Sequence, residues 1–373
     1  MRIGLITAGS DSPGVNVAIR GFGKAVANAY KMDVLGFRDG YLGLIEDRKV
    51  NLLEGNMLSG ILTQGGTILG TSRHVPESML GPEGPIDRTQ EAVDSYHRNN
   101  LDALIIIGDN KSQSAAYHLS QAGLNIITMP KSCENDVPRT DKSIGFDTAR
   151  EIATEAIDRL HTNANATHRI MLVELLGNCS GWLTMGAGLA AGADVILIPE
   201  IPYDFDVVIE AIHRRKAAGR NFSLVAVAEK ARSKELVDFM ELAASKRAES
   251  AEEQEKAFER IENNYSAQTL LLARRLGEAT DLETHITILG SLVRGGTPTA
   301  ADRLLANQLA EWSVRMAADG QFGRMACRID GSVTSVPLDE VAGKAKLMPL
   351  DHDWIRGSFQ VGTCLGIPDL PVA

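Results

Sequence analysis

The run Ser132-Cys133-Glu134-Asn135-Asp136, directly after Met129-Pro130-Lys131, places two carboxylates, a hydroxyl and a lysine in one short stretch. Just upstream, Gly108-Asp109-Asn110-Lys111-Ser112 repeats the mixture of small, acidic and cationic residues. Carboxylates can move a proton or hold a cation, and ammonium groups and hydroxyls can bind phosphate oxygens. The combination reads as a phosphoryl-transfer centre. Two further loops fit that chemistry. Ala8-Gly9-Ser10-Asp11-Ser12-Pro13-Gly14-Val15-Asn16 offers small residues that let backbone N–H groups approach a phosphate at the positive end of a helix, although a plain strand-to-helix turn uses the same residues. Gly65-Gly66-Thr67-Ile68-Leu69-Gly70-Thr71-Ser72-Arg73 ends on a guanidinium that can fork onto phosphate oxygens or pair with a surface carboxylate.

The elements that must hold these loops are short β-branched runs alternating with amphipathic segments. The runs are Arg2 to Thr7, Asp33 to Phe37, Ala103 to Gly108, Asn125 to Met129, Arg169 to Leu176, Asp194 to Pro199, Phe222 to Ala228 and His285 to Leu289. Such alternation predicts parallel sheets covered by helices, in which ligands sit beyond the carboxyl ends of the strands. Glycines, carboxylates and hydroxyls do follow the runs, at 8–16, 108–112, 130–136 and 177–181. The stretch from Ser233 to about Asp281 differs, with charge-rich helix formers such as Ala251-Glu252-Glu253-Gln254-Glu255-Lys256, and reads as solvated helices.

A chain of 373 residues, 44% of them hydrophobic, is too long for one ordinary core and suggests two α/β lobes. Its formal charge of −10 leaves no general basic surface for nucleic acid or anionic lipid, so small molecules and other subunits are the expected partners. Cys133, Cys179, Cys327 and Cys364 lack any CxxC or His/Cys ligand spacing, which predicts reduced thiols in a cytoplasmic protein. No apolar run approaches the roughly 20 residues of a membrane span, so a soluble protein is expected.

Four motifs in order resemble the phosphofructokinase family: Gly9 to Arg20, Gly65 to Arg73, Glu134-Asn135-Asp136 followed by Gly145-Phe146-Asp147-Thr148-Ala149, and Leu289-Gly290-Ser291-Leu292-Val293-Arg294-Gly295-Gly296-Thr297-Pro298. The resemblance implies two Rossmann-like three-layer α/β lobes with the active site in the cleft between them. A phosphoryl-donor lobe over 1–145 with about 302–348, a sugar-phosphate lobe over 146–301 and a C-terminal extension over 349–373 follow from it. It implies that Arg169, Arg294 and Arg303 clamp the phosphate of fructose 6-phosphate, with Arg169 reaching a neighbouring subunit's site in a dimer or tetramer. Glu229 would meet the sugar hydroxyls, and Leu176-Gly177 takes the place of the family's Met-Gly pair.

On the donor side the resemblance assigns phosphate binding to Gly9, Ser10, Arg73, Lys111 and Ser112. It gives Mg2+, with capture weakened, to Asp109 or Asn110, depending on which of two registers places the family's metal-binding aspartate. Glu134 would take the proton from the attacking hydroxyl, assisted by Asp136, Ser132 and Lys131. Glutamate there carries one methylene more than the family's aspartate, a displacement of over ~1 Å that can cost about a hundredfold in rate. Asn178 stands where the family has an arginine, and Ser10 where it has a glycine. Pro130-Lys131 resembles the pyrophosphate-dependent branch, and Lys111 and Lys131 would crowd an adenine nucleotide's phosphates. The expected donor is therefore pyrophosphate rather than ATP. A paralogue that binds sugar phosphate without turnover, and a kinase acting on another phosphorylated sugar, stay open beside this reading.

Overall fold

The computed structural model describes residues 1–81, 84–245 and 268–368. Contacts divide the chain into two compact units, Met1–Ala149 with Leu292–Lys346, and Arg150–Ser291 with the segment from Leu347 onward.

The first unit is built on strands β1 (Arg2–Ala8), β2 (Asp33–Phe37) and β3 (Lys49–Asn51), a small hairpin of β4 (Met79–Gly81) and β5 (Gly84–Ile86), then β6 (Ala103–Gly108) and β7 (Ile126–Pro130). Its seven-stranded sheet has the order β13-β12-β7-β6-β1-β2-β3, where β12 is Arg324–Ile329 and β13 is Ser332–Pro337. The inner strands run parallel, while β3 and β13 close the edges antiparallel. Buried apolar side chains cover both sheet faces. On one face lie the helices Val15–Ala29 and Ala300–Ala318, the first presenting Val15, Ala18, Ile19, Phe22 and Val26 at helical spacing. Register decides the rest: Gly108 pairs with Ala8 on one side and Pro130 on the other, so β1, β6 and β7 finish level. The loops after all three strands therefore open side by side.

The second unit holds a parallel four-stranded sheet, order β11-β8-β10-β9, from β8 (Ile170–Leu175), β9 (Val195–Leu197), β10 (Ser223–Ala228) and β11 (Thr284–Ile288). Leu175 pairs with Ala228, so the loops carrying Leu176-Gly177 and Glu229 also emerge together. Helices Phe205–Ala217 and Gln268–Thr280 pack on this sheet through Val208, Ile212, Leu272 and Leu276.

The expected strands are present, most with ends shifted by a residue, and Asp194 to Pro199 shortens to Val195–Leu197. The hairpin β12–β13 was not anticipated because arginines and serines interrupt its apolar positions and it is only half covered. The reading of 233–281 as solvated helices needs correction for Gln268–Thr280, whose Leu272, Ala273 and Leu276 belong to the core. The stretch Ala251 to Lys256 lies outside the described residues. Among the described residues no helix is long and apolar enough to cross a membrane. Among the described residues the four cysteines form no disulfide.

Candidate active site

At the end of β1 the chain turns through Gly9 with φ +86°, and a Cβ there would lie 2.1 Å from the Asp109 carboxylate. Only glycine permits that approach. The next N–H, of Ser10, donates to Asp109 Oδ2 at 2.8 Å. Oδ1 of the same carboxylate caps the helix Asn110–Gln121, accepting from Ser112 N at 3.1 Å and Ser112 Oγ at 2.8 Å. Asp109 thus ties the loops after β1 and β6 together. The Gly65–Arg73 loop docks on the same turn: Gly9 N donates to Ser72 O at 2.7 Å, Thr71 Oγ1 to Gly9 O at 2.7 Å, and Arg73 Nε to Ser10 Oγ at 3.0 Å. Asn16 holds the far end of that loop, donating to the Gln64 and Gly65 carbonyls and accepting from Ile68 N at 2.8 Å.

Two donor-side expectations are corrected. Lys131 is fully buried, and its Nζ donates to Ser10 O at 2.6 Å and Thr71 Oγ1 at 3.3 Å, so it braces the turn from beneath and does not face a donor. The Ser112 hydroxyl is buried and committed to Asp109, which leaves it out of phosphate binding. Lys111 does stand exposed in the first turn of its helix.

Burial lowers the Lys131 ammonium to about 8, against the partly compensating charges of Asp109 and Asp11. Lys131→Met is expected to cost about 1–3 kcal/mol at pH 7, because the Ser10 carbonyl loses its donor. The folded pKa lies below the unfolded value of 10.5, so the unfolded chain binds more protons between about 8 and 10.5 and the wild type gains stability as pH rises through that window. The gap between wild type and variant should widen from pH 7 to 9.5 in urea melts. A gap that narrows over that range would refute the assignment.

The loop after β7 contains the acidic pair. Ser132 Oγ donates to Asp136 Oδ1 at 2.5 Å and accepts from Glu134 N at 3.1 Å, which fixes both residues relative to one hydroxyl. Glu134 Oε1 lies 3.5 Å from Arg294 Nη2, each side chain being 14% exposed. Arg294 Nη1 also donates to Asp11 O at 3.3 Å. Between the acids, Asn135 adopts φ 54°, held by its side-chain bonds to Asp141 O and Ser143 N. Burial, then the charge of Asp109, pushes the Asp136 carboxyl above its ordinary range, with the Ser132 hydrogen bond acting against them. Asn110 Nδ2 makes a long contact to Asp136 O at 3.4 Å. Cys133 is buried, and desolvation pushes its thiol up to about 12, which makes it a packing residue rather than a nucleophile.

The predicted substrate residues divide. Arg294 sits with Glu134, and Arg303 Nε donates to Pro298 O at 2.7 Å. Leu176, Gly177 and Glu229 lie at the carboxyl ends of β8 and β10, with Glu229 exposed and Gly177 so close to Ala228 that a Cβ would stand 2.7 Å from its methyl. Arg169 precedes β8, where its Nε pairs with Glu283 at 2.8 Å. Asn178 is exposed.

Sequence reasoning missed Asp302. Wholly buried, it accepts from Gly145 N, Thr148 N and Thr148 Oγ1 at 2.8, 2.7 and 2.5 Å, anchoring the turn that follows the acidic loop. Its signal, an aspartate three residues into a helix begun by Thr299, looks like ordinary helix capping. Thr71 and Asn16 were quoted within motifs but without the roles that their bonds give them.

Loops rich in backbone donors, level at the ends of parallel strands and flanked by paired acids and arginines, define a doubly wound α/β phosphotransferase. The family model described as Phosphofructokinase matches residues 2–317. An ATP-dependent 6-phosphofructokinase of Propionibacterium freudenreichii subsp. shermanii is 47% identical over 374 residues, covering 98% of this chain and 99% of that protein. One from Spirochaeta thermophila is 42% identical over 367 residues, covering 97% of each. In three dimensions the chain is similar to the pyrophosphate-dependent phosphofructokinase of Marinobacter aquaeolei, with TM-score 0.75 and 20% identity over 98% of this chain and 92% of that one, a likeness of fold. This chain belongs to the phosphofructokinase family, and it is a phosphofructokinase-like phosphotransferase.

Proposed function

We propose that the chain transfers the terminal phosphoryl group of ATP to the 1-hydroxyl of fructose 6-phosphate. The observation that carries this reading is full-length similarity, at 47% and 42% identity, to two chains named ATP-dependent 6-phosphofructokinase. The expectation of pyrophosphate rested on the likeness of Pro130-Lys131 to the pyrophosphate-dependent branch and on Lys111 and Lys131 filling the nucleotide's space. With Lys131 buried beneath the turn, half of the crowding argument is gone.

In this reading the sugar oxygen attacks the terminal phosphorus as the bond to ADP breaks, and the hydroxyl proton passes to Glu134. Arg73 and Lys111 line the donor side, since the Gly9 and Ser10 N–H groups are already bonded to Ser72 and Asp109; Arg294 and Arg303 take the sugar phosphate. A magnesium ion, which binds through one or two carboxylates plus substrate phosphates, would find its carboxylate in Asp136, since Asp109 has both oxygens bonded to Ser10 and Ser112. The fit shows in Asp136, whose carboxyl is pushed up by burial and by Asp109, the strain that a cation relieves. When bound, the ion would neutralise phosphate charge.

Arg169 serves a neighbouring copy in this reading. It stands at the start of β8, about 20 Å along the strand from Leu176 and Gly177, too far to share a phosphate with them. A homogeneous monomer in solution would overturn that part. The deciding experiment is phosphorus NMR of the protein with magnesium, fructose 6-phosphate, ATP and pyrophosphate together. Loss of ATP with appearance of a bisphosphate is expected. Loss of pyrophosphate instead would overturn the donor, and no turnover would overturn the transfer itself.

A further inference from the structure

Lys346 stands outside the loops described so far, at the end of the first unit, with the chain entering the second unit at Leu347. Its backbone N–H donates to Asp136 O at 2.8 Å. Its ammonium donates to Thr140 O at 2.8 Å and to Asp141 O at 2.6 Å. One residue therefore grips both ends of the limb Asp136–Asp141, which leads away from the acidic pair.

That limb needs holding. Within it Arg139 adopts a left-handed backbone conformation, φ 60°, which a long side chain takes rarely, and Asn135 just before the limb is left-handed too at φ 54°. The outer end is fastened to the turn after β12, where Asp141 accepts from Asp330 N at 3.2 Å and Gly331 N at 2.9 Å. Arg139 reaches Glu340 at 2.8 Å, but both side chains are largely exposed and such a pair holds weakly. The inner end carries Asp136, the group whose placement matters to chemistry, and there the main-chain N–H of Lys346 adds to the bond from Ser132 Oγ to Asp136 Oδ1.

We propose that Lys346 is a positioning residue for phosphoryl transfer: by holding the Asp136, Thr140 and Asp141 carbonyls it sets the Asp136 carboxylate and the acidic loop in place. The proposal rests on the catalytic reading of that loop given above.

The test compares Lys346→Met and Lys346→Arg in the full chain, with kcat and KM for ATP and fructose 6-phosphate and amide hydrogen exchange over Val137–Asp141. The backbone bond survives in both variants. Lys346→Met is expected to lower kcat about 10- to 100-fold, the range a misplacement of up to about 1 Å produces, with KM for fructose 6-phosphate within about twofold. Exchange in the limb should quicken. Lys346→Arg should recover most of the lost kcat, because a guanidinium can still donate to two carbonyls. Unchanged kcat in the Met variant, or unchanged exchange in the limb, would overturn the proposal. Failure of the functional reading shows separately, as absent turnover in the wild type, and removes the positioning role with it.

Discussion

Glu134→Gln is expected to lower kcat by about 10²- to 10⁴-fold, the contribution usual for a positioned general base. The amide keeps the shape of the side chain but cannot take the hydroxyl proton. Binding should survive, since the Glu134 backbone N–H still donates to Ser132 Oγ and the loop keeps its Asn135 and Asp136 bonds. KM for fructose 6-phosphate should stay level or fall, because Arg294, now 3.5 Å from Glu134, would lose a competing anion and be freer to meet a phosphate. A fall in kcat without a rise in KM marks an interaction made in the transition state. Turnover within about threefold of wild type would exclude Glu134 as the base, whose usual contribution is far larger.

The second large effect concerns folding. Asp302→Ala removes the acceptor for two backbone N–H groups and a threonine hydroxyl in a site with no access to water. Leaving such donors unpaired costs about 3–5 kcal/mol in total. The consequence reaches the active site, because Gly145 and Thr148 begin the helix Phe146–Thr167, and the turn before it is tight: a Cβ on Gly145 would meet Ser12 Oγ at 1.9 Å. Burial raises the Asp302 carboxyl above its ordinary range, against the lowering effect of its three hydrogen bonds. The folded pKa then exceeds the unfolded one, so this group's charge burden is absent below the unfolded pKa and grows as pH rises through the folded pKa. In urea denaturation the loss in Asp302→Ala should therefore be larger on the acid side and smaller, though still present, at neutral pH. A midpoint matching wild type would show that the turn holds itself.

The alternating β-branched runs gave the parallel sheets and, with the rule that ligands collect at carboxyl ends, the loops that matter. Those loops were legible as candidates because short side chains, acids and cations collect where strands end, although turn geometry alone also calls for small residues. The division of labour within them was not legible. Lys131 and Arg73 are both cations in candidate phosphate-binding segments of the sequence, yet one is buried under the turn and the other exposed above it. Which way a lysine points depends on the register of β7 against β6 and on a vacant carbonyl at Ser10, neither of which is a local property.

By itself, then, the sequence determined the class of chemistry, the family and the order of the motifs, because these depend on residue type and spacing along one strand-loop-helix unit. Tertiary structure alone decided which polar groups are available. Asp109 is committed to Ser10 and Ser112, Glu134 is set against Arg294, and Asp302 and Lys346 fasten the acidic loop from segments far away in the chain. A hydrogen bond satisfies a group only through its partner's position, and position across such separations is fixed by how the strands pair and the helices pack.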